Sequence, residues 1–257
     1  MYKLKQGEMG LIQALFENCE DTLVWSCLQG YMGEAWVDNK DYPTAAKIIT
    51  GDFCFLVGEP YEELVKHIPT TYSKAYLLMV PENKLWAQLI EKVYGNHANA
   101  FMRYAIRLGK DGFDVKALQV NIDQLSEVYQ LQAIDEQLYA TLKVQEWSED
   151  FCSQFSTYEI FKEQGMGFVI LHQGEPVSGA SSYTVFDKGI EIEIDTQAAY
   201  RRRGLALVCA SKIILECLAR CIEPHWDAAN KASVALAEKL GYCLEKEYVT
   251  YEVNTQR

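Results

Sequence analysis

The run Arg201-Arg202-Arg203-Gly204-Leu205-Ala206 places three guanidinium groups directly ahead of a glycine, in a chain whose 36 acidic side chains outnumber 24 basic ones. A loop that leaves a strand and enters a helix through Gly204 aims successive backbone N–H groups at one point. The helix N-terminus adds partial positive charge there, so the loop is suited to cradle an anion. Gly204 has no Cβ, which lets the backbone come close to a phosphate, and Ala206 keeps the next turn small. Cations at a helix N-terminus oppose the macrodipole by roughly 0.3–1 kcal/mol each when exposed. That opposition points to a compensating anion; the plainer alternative is a solvated cluster ahead of an amphipathic helix. Neither Gly-x-x-x-x-Gly-Lys-Ser/Thr nor Gly-x-Gly-x-x-Gly is present, which disfavours a nucleoside triphosphate site.

Immediately upstream, GIEIEID alternates with period two. Glu191, Glu193 and Asp195 therefore share one face of a strand, and Ile190, Ile192 and Ile194 the other. An acidic face attracts a cationic amine and accepts its proton directly or through water, which makes Glu191 and Glu193 candidate bases. A half-exposed strand with a solvated polar face is the competing reading. Cys217 and Cys221, four apart, could pair with His225 as metal ligands, but no second cluster completes a tetrahedral site and no metal is expected. Nothing in the spacing orders a Cys–His nucleophile from the eight cysteines and His67, His97, His172 or His225.

The elements that must position these residues are those of an α/β protein with a mixed, largely antiparallel sheet and flanking helices. Residues 1–117 read as a smaller α/β domain: a helix at Met9–Cys19, strands at Phe53–Val57, Lys74–Val80 and Phe101–Leu108, and a helix at Glu82–Tyr94 before Gly95. Trp25, Tyr31, Trp36 and Tyr42 read as its core rather than as a binding face. In residues 118–257, Asn121 is expected to cap a helical region running with breaks to about Trp147. Ser156–Glu159 has capping-box spacing, with Gly165 as the stop. A three-stranded meander follows at Gly167–His172, Val177–Phe186 and Ile190–Thr196, turning at Gln173-Gly174-Glu175 and Asp187-Lys188-Gly189. A long helix at Gly204–Cys221, a short strand near Ile222–Trp226, a helix at Ala232–Leu240 and a β-rich tail at Tyr242–Val253 complete the reading.

At 257 residues and 49% hydrophobic content the chain can bury one large core or two small ones. The formal net charge of -12 argues against nucleic acid or an anionic membrane surface as a partner of the whole molecule. Scattered cysteines and no leading apolar segment favour reduced thiols in a cytoplasm. The most apolar helix carries Lys212 and Glu216 and falls short of the roughly 20 apolar residues a membrane span needs.

The run Arg201–Ala206 resembles the Arg/Gln-x-x-Gly-x-Gly/Ala signature of the GNAT superfamily of acyl-CoA-dependent N-acetyltransferases, and it lies between a strand and a long helix as that family requires. Asn230-Lys231-Ala232-Ser233 and Ala237–Tyr242 are similar to the family's next element. The string PHWDAANKASVALAEKLGY, with EIEIDT ahead of the arginines, resembles the subgroup containing zwittermicin-resistance acetyltransferases. The resemblance spans about Val120 to Val253. It implies that acetyl-CoA is the co-substrate, with its pyrophosphate on the amides of Arg201, Arg202, Arg203, Gly204, Leu205 and Ala206. It implies further that the pantetheine arm pairs with main chain near Ile194, Asp195 and Thr196 where two strands splay, that a freed amide polarises the thioester carbonyl, and that Asn230 and Ser233 touch the coenzyme from the other side. Many members carry an acid tyrosine where this chain has Ala237. Tyr242 and Tyr248 are nearby substitutes, and water is the other proton source. The implied activity is acetyl transfer to a primary amine of a small-molecule acceptor, an aminopolyol antibiotic among the options. A non-catalytic acyl-CoA-binding or regulatory module is the alternative, and a protein or peptide amine also stays open, as does the oligomeric state. For residues 1–117 a degenerate copy of the same architecture, shaping the acceptor cleft, is one reading.

Overall fold

The computed structural model describes residues 1–255. Its contacts divide the chain between Arg103 and Tyr104, and the tail from Glu247 onward returns to the first unit. The expected domains were 1–117 and 118–257.

In the first unit, β1 (Tyr2–Lys3), β2 (Glu34–Val37), β3 (Ala45–Thr50) and β4 (Phe53–Gly58) pair antiparallel in turn. Helix α2 (Glu62–Lys66) then leads to β5 (Tyr76–Pro81), which lies parallel to β4. Residues Tyr251–Asn254 pair antiparallel with β5. Helices α1 (Thr22–Leu28) and α3 (Lys84–Tyr94) are capped by the side chains of Asp21 and Asn83. The core gathers Trp36, Leu56, Leu64, Leu77, Met79, Trp86 and Ile90, and Trp86 Nε1–H donates to the Gly58 carbonyl at 2.9 Å. Of the expected aromatic core, Trp36 is buried whereas Tyr31 and Tyr42 are exposed. The helix expected at Met9–Cys19 is instead two 3₁₀ segments, Gln6–Leu11 and Gln13–Phe16. Gly7 and Gly10 enter that stretch, and each costs a helix about 1 kcal/mol relative to alanine.

Lys47, on β3, is fully buried. Its Nζ donates to the His67 carbonyl at 2.6 Å, lies 3.1 Å from His67 Nδ1, and stands 5.1 Å from the centre of the Trp36 ring. This burial pushes the ammonium from its ordinary 10.5 down to about 8. Burial, then the Lys47 charge, holds the His67 imidazole down to about 4.

The second unit opens within β6 (Ala98–Leu108), whose Tyr104 and Ala105 pair with β12 (Asp227–Ala228). Helix α4 (Val115–Asp123) is capped by Asp114, not by Asn121. Asn121 sits inside α4 and donates from Nδ2 to Ser211 Oγ at 3.0 Å. The helical region expected to reach Trp147 is interrupted by strand β7 (Tyr129–Ala133) before α5 (Glu136–Leu142), because Tyr129-Gln-Leu-Gln-Ala alternates and adds to a sheet edge. Thr157, one residue past the expected cap, caps α6 (Tyr158–Gln164).

The meander forms where expected, as β8 (Gly167–His172), β9 (Glu175–Phe186) and β10 (Gly189–Thr196). With β7 at one edge and β11 (Glu223–His225) at the other, the sheet order is β11-β10-β9-β8-β7. All pairs are antiparallel except β10 with β11. Helix α7 (Leu205–Ala219) packs across β8, β9 and β10 through Leu205, Val208, Cys209, Ile213, Ile214 and Cys217. Helix α8 (Lys231–Lys239) and strand β13 (Tyr242–Asn254) follow. Among the described residues no helix is long and apolar enough to cross a membrane.

Because the folded-state pKa of Lys47 lies below its unfolded value, the unfolded chain binds more protons between pH 8 and 10.5, so this group makes stability rise with pH there. The shift corresponds to a gain on the order of 3 kcal/mol at most. Buried thiols such as Cys54, raised to about 12, titrate in the opposite sense, so the readout is a difference between variants. Denaturant unfolding from pH 7 to 10 is expected to show the rise in wild type relative to Lys47→Met; equal pH dependence in both would refute it.

Candidate active site

The site is built on a fork. Strand β11 matches β10 only over Gly189–Glu191, paired with Glu223, Pro224 and His225. Gly189 permits this contact, since a Cβ there would lie 2.0 Å from the Glu223 carbonyl oxygen. From Ile192 to Thr196, β10 pairs with β9 alone, and the chain after β11 goes to β6 instead. The parting begins at a register shift between Glu191 and Ile192, where Tyr183 of β9 is passed over. At the crotch the Asp227 N–H donates to Glu191 Oε1 at 2.6 Å. Glu191 is buried, while Glu193, Ile194 and Asp195 are half-exposed.

Beyond β10 the chain makes a 3₁₀ turn, Ala198–Tyr200, and enters the arginine loop. Arg202 has φ +64 and Gly204 φ +82, both in the left-handed region. Gly204 is the N-cap of α7 and brings no side-chain cap to it. The first amides of this 15-residue helix therefore lack the partner that Asn230 supplies to α8, where Oδ1 accepts from Ala232 N and Ser233 N at 3.0 Å each. A Cβ on Gly204 would meet nothing within 4 Å, so the ground above the cradle is open. An uncapped helix end, a left-handed glycine and open space together fit a phosphate group.

The three arginines are not equivalent. Arg201 Nε donates to the Thr196 carbonyl at 3.0 Å, and its Nη2 lies 3.4 Å from Asp195 Oδ1. Arg203 donates to the Ala199 carbonyl at 3.0 Å and to Tyr129 Oη at 3.3 Å, with its guanidinium 5.0 Å from the centre of the Tyr200 ring. Arg202 is exposed and makes no hydrogen bond or ion pair among the described residues. Thr196 is also engaged locally: its N–H donates to Asp195 Oδ1 and its carbonyl receives Arg201.

Residues 13–251 match the GNAT acetyltransferase family. The chain belongs to that family. It is 29% identical over 248 residues to the uncharacterized N-acetyltransferase YdfB of Bacillus subtilis strain 168, covering 90% of this chain and 89% of that one. The crystal structure of a GCN5-related N-acetyltransferase-like protein from Streptococcus suis 89/1591 superposes with a TM-score of 0.90 at 42% identity, over 96% of this chain and 99% of the other. A tandem GNAT protein from the clavulanic acid biosynthesis pathway shares the fold at a TM-score of 0.57 and 12% identity, covering 98% and 95% of the two chains. The chain is thus a GNAT acetyltransferase, of a family that uses acetyl-CoA.

At the position where many family members carry an acid tyrosine this chain has Ala237, with Tyr242 and Tyr248 as the nearby substitutes. Ala237 is buried. Tyr242 is buried too, donates to the Pro224 carbonyl at 2.8 Å, and burial raises its phenol well above the ordinary 10. Tyr248 belongs to the first unit. Among the described residues no three His, Cys, Asp or Glu side chains gather as a metal site; Cys217 is buried, Cys221 is exposed, and His225 lies 3.1 Å from Glu223 and edge-on to Phe186. Sequence reasoning missed Tyr129, His172 and Tyr200, whose only sequence signal was the aromatic type of two of them.

Glu191→Ala removes the acceptor at the crotch of the fork and is expected to cost about 1–3 kcal/mol. Glu191→Gln keeps a carbonyl oxygen there and should cost clearly less. Equal losses in denaturant unfolding would show that the Asp227 contact does not hold the fork.

Proposed function

We propose that this chain transfers the acetyl group of acetyl-CoA to a primary amine of a small-molecule acceptor in the cytoplasm. The observation that carries the donor side is the uncapped start of α7 at Gly204, facing open space beside the fork. Acetyl-CoA supplies an acetyl group already activated as a thioester. The amides from Arg202 to Ala206 hold the pyrophosphate, and Arg202, whose side chain is not used internally, supplies charge to the phosphates. The edge of β10 that β11 leaves open, from Ile192 to Asp195, is where the pantetheine arm pairs with main chain. Thr196 contributes less than the motif implies, since both its backbone groups are engaged. Asn230 Oδ1 is committed to capping α8, so its Nδ2 is the part that reaches a coenzyme.

On the acceptor side the two candidate bases separate. Glu191 is tied to Asp227 N–H and serves as a clamp; Glu193, half-exposed on the strand beyond the fork, takes the proton as the amine forms its C–N bond. The departing thiolate takes a proton from solvent water, because Tyr242 is buried and engaged. The acidic face of Glu193 and Asp195 favours a cationic amine such as an aminopolyol, the acceptor class of the zwittermicin-resistance resemblance.

The first unit repeats the connectivity of the second: three antiparallel strands (β2, β3, β4), a helix (α2), then a parallel strand (β5). Its connection from β4 to α2 is Glu59-Pro60-Tyr61, followed by Glu62 and Glu63 in the first turn of the helix, with no arginine there, which supports a degenerate GNAT copy without an anion cradle.

Calorimetric titration with acetyl-CoA is expected to show micromolar binding to wild type and none to Gly204→Glu. No heat and no thermal shift for wild type would defeat the coenzyme reading. Given binding, thiol release across a panel of amines tests turnover, and its absence with every amine would favour the non-catalytic module. Glu193→Gln is expected to lower kcat/KM for the amine by about 10²-fold or more while acetyl-CoA binding persists; an unchanged rate would remove Glu193 from the chemistry.

A further inference from the structure

A non-glycine residue in the left-handed region is held there only when its surroundings over-determine it. Arg202, at φ +64, has such surroundings on both sides. Before it, Arg201 is fastened to Thr196 and Asp195 on β10. After it, Arg203 is fastened to a group of rings that belongs to the far side of the sheet from the fork. Tyr129 lies on β7 and His172 ends β8; the two are register partners, with ring centres 5.4 Å apart. His172 Nδ1 lies 3.0 Å from Tyr200 Oη, with the two ring centres 5.5 Å apart. Tyr200 carries the Arg203 guanidinium over its face at 5.0 Å, and Arg203 reaches back to Tyr129 Oη. The chain of contacts therefore runs from the rigid β7–β8 edge through His172 and Tyr200 to Arg203, and closes on Tyr129.

We propose that Tyr200, held by His172 and holding Arg203, is a positioning residue that sets the Arg202–Gly204 backbone in its anion-receiving conformation before coenzyme arrives. The inference rests on the coenzyme reading of the loop. Two of the three arginines then act as braces, and the loop's affinity depends on residues that never touch the ligand. Loosening the brace lets the loop populate conformations whose amides diverge, and apparent affinity falls by the fraction of loops still competent.

The test measures acetyl-CoA Kd by calorimetry for wild type, Gly204→Glu, Tyr200→Ala, Tyr200→Phe and Arg203→Gln, with melting temperature followed in parallel. Tyr200→Ala is expected to weaken binding roughly tenfold. Tyr200→Phe, which keeps the ring under Arg203 and loses the contact to His172, should recover part of that loss. The double variant Tyr200→Ala with Arg203→Gln should bind about as weakly as the worse single one, since both break one brace. Should Tyr200→Ala fail to fold, His172→Ala tests the same brace from outside the loop and is expected, like Tyr200→Phe, to weaken binding by less than Tyr200→Ala would. Wild-type affinity in Tyr200→Ala or His172→Ala, alongside lost binding in Gly204→Glu, would overturn the brace and leave the coenzyme reading standing. Equal weakening in Tyr200→Phe and Tyr200→Ala, or additive losses in the double variant, would also count against it. No binding by wild type would end both readings.

Discussion

The site depends on one strand pairing that stops early. Three residues of β10 meet three of β11, and the ladder then ends. Unpaired backbone is costly when buried and useful when a ligand can pair with it. The register shift at Glu191 and the carboxylate on Asp227 N–H sit at the point of parting, and the glycine that lets β10 and β11 touch sits at the other end of the short ladder. Together they fix where pairing starts and stops. The arginine loop takes its position from the same strand, since it leaves the open end of β10 and is tied back to it by Arg201.

Much of this was legible in the chain. The meander could be read because its turns carry Gly174 and Gly189, β8 is a largely apolar run and β10 alternates. The arginine loop's place between a strand and a long helix could be read because a basic run, a glycine and an apolar stretch stand in order. Strands β2 and β3 were missed although Gly51-Asp52 is a two-residue hairpin signal, because Lys47 makes AAKIIT look like an exposed edge when it is a buried strand. The alternation of GIEIEID marked a strand, but periodicity has no access to Asp227, 36 residues away, whose N–H claims the buried Glu191. The brace is still less legible. Tyr129, His172 and Tyr200 come from three separated segments and meet only through strand register. Asn121 shows the same limit, since its cap-like type concealed a contact to Ser211 on another helix.

The two units set different residue chemistry on the same connectivity. Each strings three antiparallel strands, a helix and a parallel strand in the same order. In the second the connection into the helix is rich in arginine and closes on a left-handed glycine; in the first it carries no arginine, and it enters a five-residue helix whose first turn holds Glu62 and Glu63. The fold supplies the position in both, and residue chemistry decides what can be held there.

Helix α7 leaves stability unrealised at its first turn. Serine or aspartate in place of Gly204 would offer the cap that Asn230 gives α8, although the left-handed backbone there would resist it. A selection for heat resistance alone would therefore tend to reward substitutions around that turn, by filling or rearranging the open space. The helix start is less stable than a side-chain cap would make it, and under the proposed coenzyme role that deficit is what a bound phosphate would recover.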